Sequence, residues 1–366
     1  MVNRLIISNL LHRPVRTAVS ILAVSIEVAM VILVVGLCHG MVNDSAHRVE
    51  GVGADILVRP PGSSFFMGMS EGPMTIKIAD RLRDLPRVLA VAPVFVHVNS
   101  VKSLDLIYGI DLPTFNAVSG GFVYHAGGPF QAPYDILVDE IYAHAYHVKV
   151  GMNINLLDHN FRVAGIVEHG KGARRFIPLA TLQDLMGEPG KATTFFVKCT
   201  DPAYTEQTTD AIKTLLPDHV VLAIKEYMAL MTSNNIPGLN YFITVMIGLA
   251  VGIGFLVIFL SMYTTITERT RDIGILKSLG ASKRYIISVI LREAALLTAV
   301  GIIAGFMGSV IMRKVLIGLF QTLPVELTWD WRLYSACLAL VGSLIGAFYP
   351  ALRASQLDPV DALAYE

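Results

Sequence analysis

Charge is scarce in this sequence. Only 16% of its 366 residues are Asp, Glu, Lys or Arg, whereas a water-soluble globular chain carries about 25%. A protein built wholly for water is therefore excluded. The few charges also cancel, 29 basic against 29 acidic, so there is no bulk positive field and no nucleic-acid partner is expected. Three cysteines exclude a disulfide scaffold. Cys38 and Cys337 fall inside apolar runs, and Cys199 has no evident partner in the sequence. Also missing is a phosphate loop: GEPGKAT (187–193) places Ala192 after its lysine, where the P-loop needs Ser or Thr to meet magnesium. Any ATP that drives this protein is expected on another subunit.

What the sequence has instead is long apolar runs. Four are long enough to cross a bilayer, which takes about 20 residues. They cover 17–41, 239–263, 289–312 and 332–352. The first carries one acid, Glu27, the second no charge, and the third the pair Arg292–Glu293 near its start. The fourth holds Tyr334 and Tyr349 near its two ends, a common place for interfacial tyrosines. The first run is too long for a cleavable signal and reads as a permanent span. Basic residues flank the first span at Arg4, Arg13 and Arg16 and dominate the 264–288 loop. That bias predicts a cytoplasmic loop and two cytoplasmic termini. The predicted order is a cytoplasmic amphipathic helix (1–16), the first span, an external domain (42–238) and the second span. The cytoplasmic loop, third span, short external loop (313–331), fourth span and cytoplasmic tail (353–366) follow.

Each apolar run holds two glycines four apart: Gly36 and Gly40, Gly248 and Gly252, Gly301 and Gly305, Gly342 and Gly346. That spacing lets helix backbones approach closely in lipid, and a tightly packed bundle is expected. Within the first span, Glu27 shares a face with Ser20, and a structural hydrogen bond to a neighbouring helix is the expected use of the carboxylate, with a proton or substrate contact as the alternative.

The external segment mixes short elements. Alternation and β-branching predict strands at 54–60, 94–101, 105–111, 161–168 and 193–199. Helical periodicity predicts helices at 76–85, 139–147, 179–186 and 203–216. The Pro-, Gly- and Ser-containing stretch 59–73 reads as a loop whose tip presents Phe65, Phe66, Met67 and Met69. These side chains either contact a substrate, lipid or external partner, or fold back on the domain. Glu140, His144 and His147 share a helical face, but without the HExxH order they make a weak metal candidate. Glu168 and His169 open a polar turn, EHGKGARR, expected to be a solvated hairpin, with a binding turn as the alternative.

The loop at 264–288 is the most informative. From Glu268 to Leu279 charged and apolar residues alternate at helical spacing, with Ile273, Leu276 and Leu279 on one face and Gly280 as the stop. A short amphipathic helix beside two spans suits docking in the groove of a soluble partner. Ile273 and Leu276 are the expected anchors; Glu268, Arg269, Arg271 and Lys277 are the expected polar rim.

Three segments, ITERTRDIGILKSLGASKRYIISVILREAALL (266–297), YPALRASQLDPVDALAYE (349–366) and DILVDEIYAHAYHVKVGMNINLLDHNFRVAGIVE (135–168), together with the opening apolar run, resemble permease subunits of the MacB/LolC/FtsX type of ABC transporter. The resemblance implies a four-span α-helical membrane protein with a large α+β extracytoplasmic domain. That domain would have a porter-like lobe (near 50–110 and 193–233) and a Sabre-like lobe (about 111–192). It implies a non-catalytic subunit of a bacterial inner-membrane mechanotransmission machine, paired with a second permease copy, identical or not. A cytoplasmic ABC ATPase would hold ATP and magnesium and dock on Glu268, Arg269, Thr270, Arg271, Asp272, Ile273, Ile275, Leu276, Lys277 and Leu279. The chain itself would bind no cofactor or metal. The cargo class is a lipoprotein, lipid, peptide or amphipathic small molecule, with a periplasmic adaptor or substrate-binding protein as a further partner beside the membrane lipids. MacB carries an ATPase ahead of its first span and FtsX a much smaller external loop, so a separate ATPase is expected and a cell-division role fits less well. Two rivals remain: a relay that activates an external enzyme without transport, and a membrane-anchored metalloprotein using Glu140, His144 and His147.

Overall fold

A computed structural model describes residues 14–63, 72–99, 105–232, 235–236, 238–320 and 322–358. The chain divides into two compact units, one of Met1–Cys38, Gly238–Gly318 and Val325–Glu366, the other of His39–Pro237 and Leu319–Pro324.

The first unit is a helical bundle. Four long helices, Pro14–Glu50, Leu239–Glu268, Lys283–Leu319 and Trp329–Gln356, are each long and apolar enough to cross a membrane. The shortest has 28 residues, about 42 Å at 1.5 Å per residue, which exceeds a hydrocarbon core of about 30 Å. Their outer faces carry large apolar side chains such as Leu249, Ile253, Ile303 and Ile345, all more than half exposed, as lipid-facing positions must be. Small residues set the inner packing. A Cβ on Gly301 would fall 2.7 Å from the Val24 Cβ, and one on Gly305 2.8 Å from that of Val28. Gly346 is as close to the second helix, where a Cβ would meet the Phe255 carbonyl at 2.9 Å. Gly248 and Gly252 differ: nothing lies within 4 Å of a Cβ at either, so this pair packs against no helix of the bundle. Thr298 and Ser343 close the third helix on the fourth with a 2.7 Å hydrogen bond.

Between the second and third long helices lies the short helix Thr270–Ser278. Gly280, at φ +91°, ends it. The Ala281 amide reaches back to the Leu276 carbonyl at 3.0 Å and the Gly280 amide to that of Lys277 at 3.0 Å, the paired bonds of a Schellman stop.

The second unit is α/β. Its strands are β1 (Ile56–Arg59), β2 (Met74–Thr75), β3 (Val88–Asn99), β4 (Asp105–Ile110), β5 (Tyr124–Gly127), β6 (Asp135–Asp139), β7 (Asn153–Leu156), β8 (His159–Val167), β9 (Arg175–Pro178), β10 (Lys191–Ala192), β11 (Thr194–Cys199) and β12 (Val220–Ala223). Ten form one mixed sheet in the order β12-β1-β11-β3-β4-β9-β6-β8-β5, with β7 paired to β8, while β2 and β10 make a small separate pair. Two cores form on this sheet. Ile56, Leu82, Phe195 and Ile212 belong to one, and Ile107, Phe161, Val163 and Leu182 to the other.

Each strongly alternating run read as a strand is one. Missed by the sequence reading are the short strands β2, β5, β6, β7, β9, β10 and β12, among them β9, which joins β4 in parallel and β6 antiparallel; runs of two to five residues carry no periodicity. The phosphate-loop look-alike is a helix stop: Gly187, at φ +69°, ends the helix Leu179–Met186, and Lys191 pairs with Glu188 at 2.6 Å.

Candidate functional site

The short helix Thr270–Ser278 sits firmly on the bundle. Ile273 is buried among the long helices with Met262, Ile286 and Ala354, and so packs inward. The residues flanking it are tied down as well. Arg269 faces Glu293 at 3.5 Å. Glu268 accepts two hydrogen bonds from the Arg16 guanidinium, at 2.7 and 2.6 Å. Lys277 donates to the Ser355 carbonyl at 3.0 Å and to that of Leu357. Of the ten residues expected to dock a partner, these four serve contacts within the bundle, and Leu276 is half-buried. The outward face consists of Arg271, Asp272, Ile275 and Leu279, with Leu279 79% exposed and Ile275 42%. Spacing alone grouped Ile273, Leu276 and Leu279; the packing separates them, because the helix turns Ile273 toward the bundle core and Leu279 lies past its last turn.

A second constellation lies in the α/β unit. The first long helix runs on to Glu50, and Asp44 near its end gathers three cations. Arg48 approaches at 3.2 Å, Arg174 at 3.4 Å and the His169 Nε2 at 3.4 Å. His169 Nδ1 meets Asp139 at 2.8 Å. Both ring nitrogens thus face carboxylates, and only the imidazolium has two N–H groups to offer. The hydrogen bond to Asp139, then that to Asp44, pushes the His169 pKa up to about 9. Asp139 is fully buried and also caps the helix Glu140–Ala145 by accepting from the Tyr142 amide at 2.7 Å. Arg174 extends the network by donating to the Thr322 carbonyl at 3.1 Å.

The EHGKGARR turn makes this possible. Expected to be a solvated hairpin, it instead packs on the end of the first long helix. The Gly172 amide donates to the Arg48 carbonyl at 2.7 Å, and Lys171 donates to the Ser119 carbonyl at 2.7 Å. Gly172 takes φ +88° and lies against the Tyr108 ring, where a side chain would collide. Ala173, Arg174 and Arg175 are all buried. A run so rich in charge and glycine gives no sequence sign of burial; its partners, Asp44, Arg48, Ser119 and Asp139, lie about 30 to 125 residues earlier.

Other sequence candidates fall elsewhere. Phe65, Phe66, Met67 and Met69 lie outside the described residues. Glu140 pairs with His125 at 3.2 Å, and His147 lies past the helix end at φ +53°. Among the described residues no three His, Cys, Asp or Glu side chains gather as a metal-sized group. Glu27 packs against Gly254 of the second long helix, while the expected polar link on this face is made by Ser20, 2.7 Å from the Ser261 hydroxyl.

Four helices of membrane length, with a mixed α/β domain inserted in the chain between the first and second, define an integral membrane protein with a large domain outside its apolar helices. Residues 17–215, more than half of the chain, match the MacB-like periplasmic core domain, and residues 244–359 match the FtsX-like permease C-terminal region. The chain belongs to the MacB/FtsX family of ABC transporter permeases, which are inner-membrane proteins. It is 26% identical to a macrolide export ATP-binding/permease protein, MacB, of Mannheimia succiniciproducens over 98% of this chain and 60% of that one. It is 31% identical to the Bacillus subtilis ABC transporter permease YknZ over 43% of this chain and 38% of that one. The chain spans about three fifths of the length of the MacB relatives it matches. Among solved structures, the periplasmic region of MacB from Actinobacillus actinomycetemcomitans aligns at a TM-score of 0.38 and 18% identity, covering 48% of this chain and 92% of that one.

Proposed function

We propose that this permease converts ATP hydrolysis by a partner ABC ATPase into movement of its α/β domain, for export or extraction of a lipoprotein, lipid, peptide or amphipathic small molecule. The chain holds no catalytic residue in this reading; ATP and magnesium belong to the ATPase. Two permease copies work as a pair, with both termini and the 264–288 loop on the ATPase side. The observation that carries the reading is the short helix Thr270–Ser278. It is fixed to the bundle through Ile273, Arg269 and Lys277, yet presents Ile275 and Leu279 to solvent. An exposed apolar pair at the capped C-terminal end of a helix fixed to the bundle suits insertion in a partner's groove, and that fixing lets the partner's movement reach the long helices. Arg271 and Asp272 form the charged edge of that contact, and Glu268, Arg269, Thr270, Ile273, Leu276 and Lys277 hold the helix in place.

The test is co-purification of the ATPase with Ile275→Asp and Leu279→Asp variants. Each places a charge in the contact and should release the ATPase while the α/β domain keeps its resistance to proteolysis. Full retention of the ATPase and of substrate-linked ATP turnover by the double variant would overturn this docking surface.

A further inference from the structure

Two arginines stand in the first three turns of the third long helix. Arg292 lies one turn inside the third apolar run, yet the acid beside it in sequence, Glu293, faces Arg269 at 3.5 Å. Eight residues earlier, at the start of the same helix, stands Arg284. Both side chains are exposed, and among the described residues neither has an acid or hydrogen-bond partner. Between them runs a crease of about 430 Å³ floored by Ile287, Leu291, Ala295 and Leu344, the last from the fourth long helix.

An unpaired arginine at the edge of the hydrocarbon region is costly unless its charge reaches the interface or meets an anion there. Helix geometry favours that meeting. Arg284 and Arg292 stand about 12 Å apart along the helix axis, and because side chains lean toward the helix N-terminus Arg292 leans into the interval while Arg284 marks its headgroup end. The two arginines therefore bracket the headgroup part of the crease, whose floor between them (Ile287 and Leu291) and one turn deeper (Ala295) is apolar. We propose that this crease is a binding site for an anionic phospholipid. Its phosphate lies between Arg284 and Arg292, with Ser288 as a further hydroxyl donor, and an acyl chain lies along Ile287, Leu291, Ala295 and Leu344. The guanidinium suits the phosphate because its planar fork of donors meets phosphate oxygens in pairs. Basic pockets between membrane helices are a recurring way of holding such lipids. The site depends only on the third and fourth helices crossing a membrane, so failure of the ATPase-docking surface leaves it standing.

The experiment uses the full chain in neutral detergent. It is titrated with phosphatidylglycerol or phosphatidylcholine, with bound lipid read by native mass spectrometry and thermal unfolding. The wild-type protein should prefer phosphatidylglycerol. Arg284→Gln and Arg292→Gln should each weaken that binding about fivefold, and together about 25-fold. Arg284→Lys with Arg292→Lys keeps the charge and should retain most of the preference. Lys314→Gln, an equal charge loss near the other end of the same helix, should retain all of it. Equal binding of the two lipids by the wild-type protein, or an unchanged preference in either Gln variant, overturns the site. Displacement of the lipid by acyl-free glycerol phosphate at equal concentration overturns the lipid assignment in favour of a free anion. Loss of the ATPase from the Gln variants with lipid preference intact would assign the arginines to a protein contact and overturn it equally.

Discussion

The carboxylate of Glu27 occupies the space that a side chain at Gly254 would fill. This pairing is one of a series. Arg16 donates to the Thr265 hydroxyl at 3.4 Å, and Ser20 meets Ser261 at 2.7 Å. Four residues up the first helix answer to four down the second, and seven more bring Glu27 to Gly254. The first and second long helices are thus antiparallel and held in one register by small and polar residues. A bare Cα opposite Glu27 lets a long carboxylate lie inside the interface.

Gly254→Ala should therefore push the end of the Glu27 side chain aside and destabilise the bundle by about 1 kcal/mol, the low end of the usual overpacking cost. Shortening the opposing residue should relieve it. In a double-mutant cycle, the Glu27→Ala background should remove most of the cost of Gly254→Ala, read by thermal unfolding in detergent. Gly248→Ala and Gly252→Ala, with open space around each, should cost nothing and can gain up to about 1 kcal/mol of helix propensity. Equal costs at all three glycines would refute the packing argument.

His169 makes the α/β domain sensitive to alkaline pH. Its pKa in the folded protein, about 9, exceeds its ordinary value of 6.5, so the folded state binds the proton more tightly than the unfolded one. The stabilisation is complete below about pH 6.5, declines as pH rises from there, and is gone above about pH 9. Thermal unfolding of the domain should fall across that window in the wild type and lose most of this dependence in His169→Gln. The same slope in both proteins would show that another group titrates.

Removing the acid at the centre of the cluster should be more severe. Asp44→Asn leaves Arg174, whose side chain is 7% exposed, short of its carboxylate while keeping the shape of the site. Loss of one partner from a fully buried ion pair costs about 3–5 kcal/mol; with Asp44 partly exposed, about 2 kcal/mol is expected. The variant should also raise hydrogen exchange in the 168–175 turn. Unchanged protection there would mean that Asp44 does not hold the turn.

Within the short helix, truncation separates packing from docking. Ile273→Ala removes a buried side chain and should cost about 2–4 kcal/mol of bundle stability. Leu279→Ala, at a 79% exposed position, should leave stability within about 0.5 kcal/mol while weakening ATPase retention. Unfolding midpoints and pull-down yields, measured on the same preparations, tell the two apart.

The sequence by itself determined the architecture. Apolar runs of membrane length announce four spans because the bilayer core demands them, and strict alternation in Phe161–Val167 marks a strand because one face of the sheet there is buried. Gly280 was legible as a helix stop for a similar local reason: a left-handed residue is needed there, and glycine takes it without strain. Tertiary structure alone decided which charges have partners. Glu293 takes Arg269 rather than its neighbour Arg292, and Asp44 finds His169 and Arg174 about 125 residues away. It also decided that Ile273 points inward while Leu279 stays free. Local periodicity describes a helix's own faces; which face is covered depends on elements that the chain brings together from elsewhere.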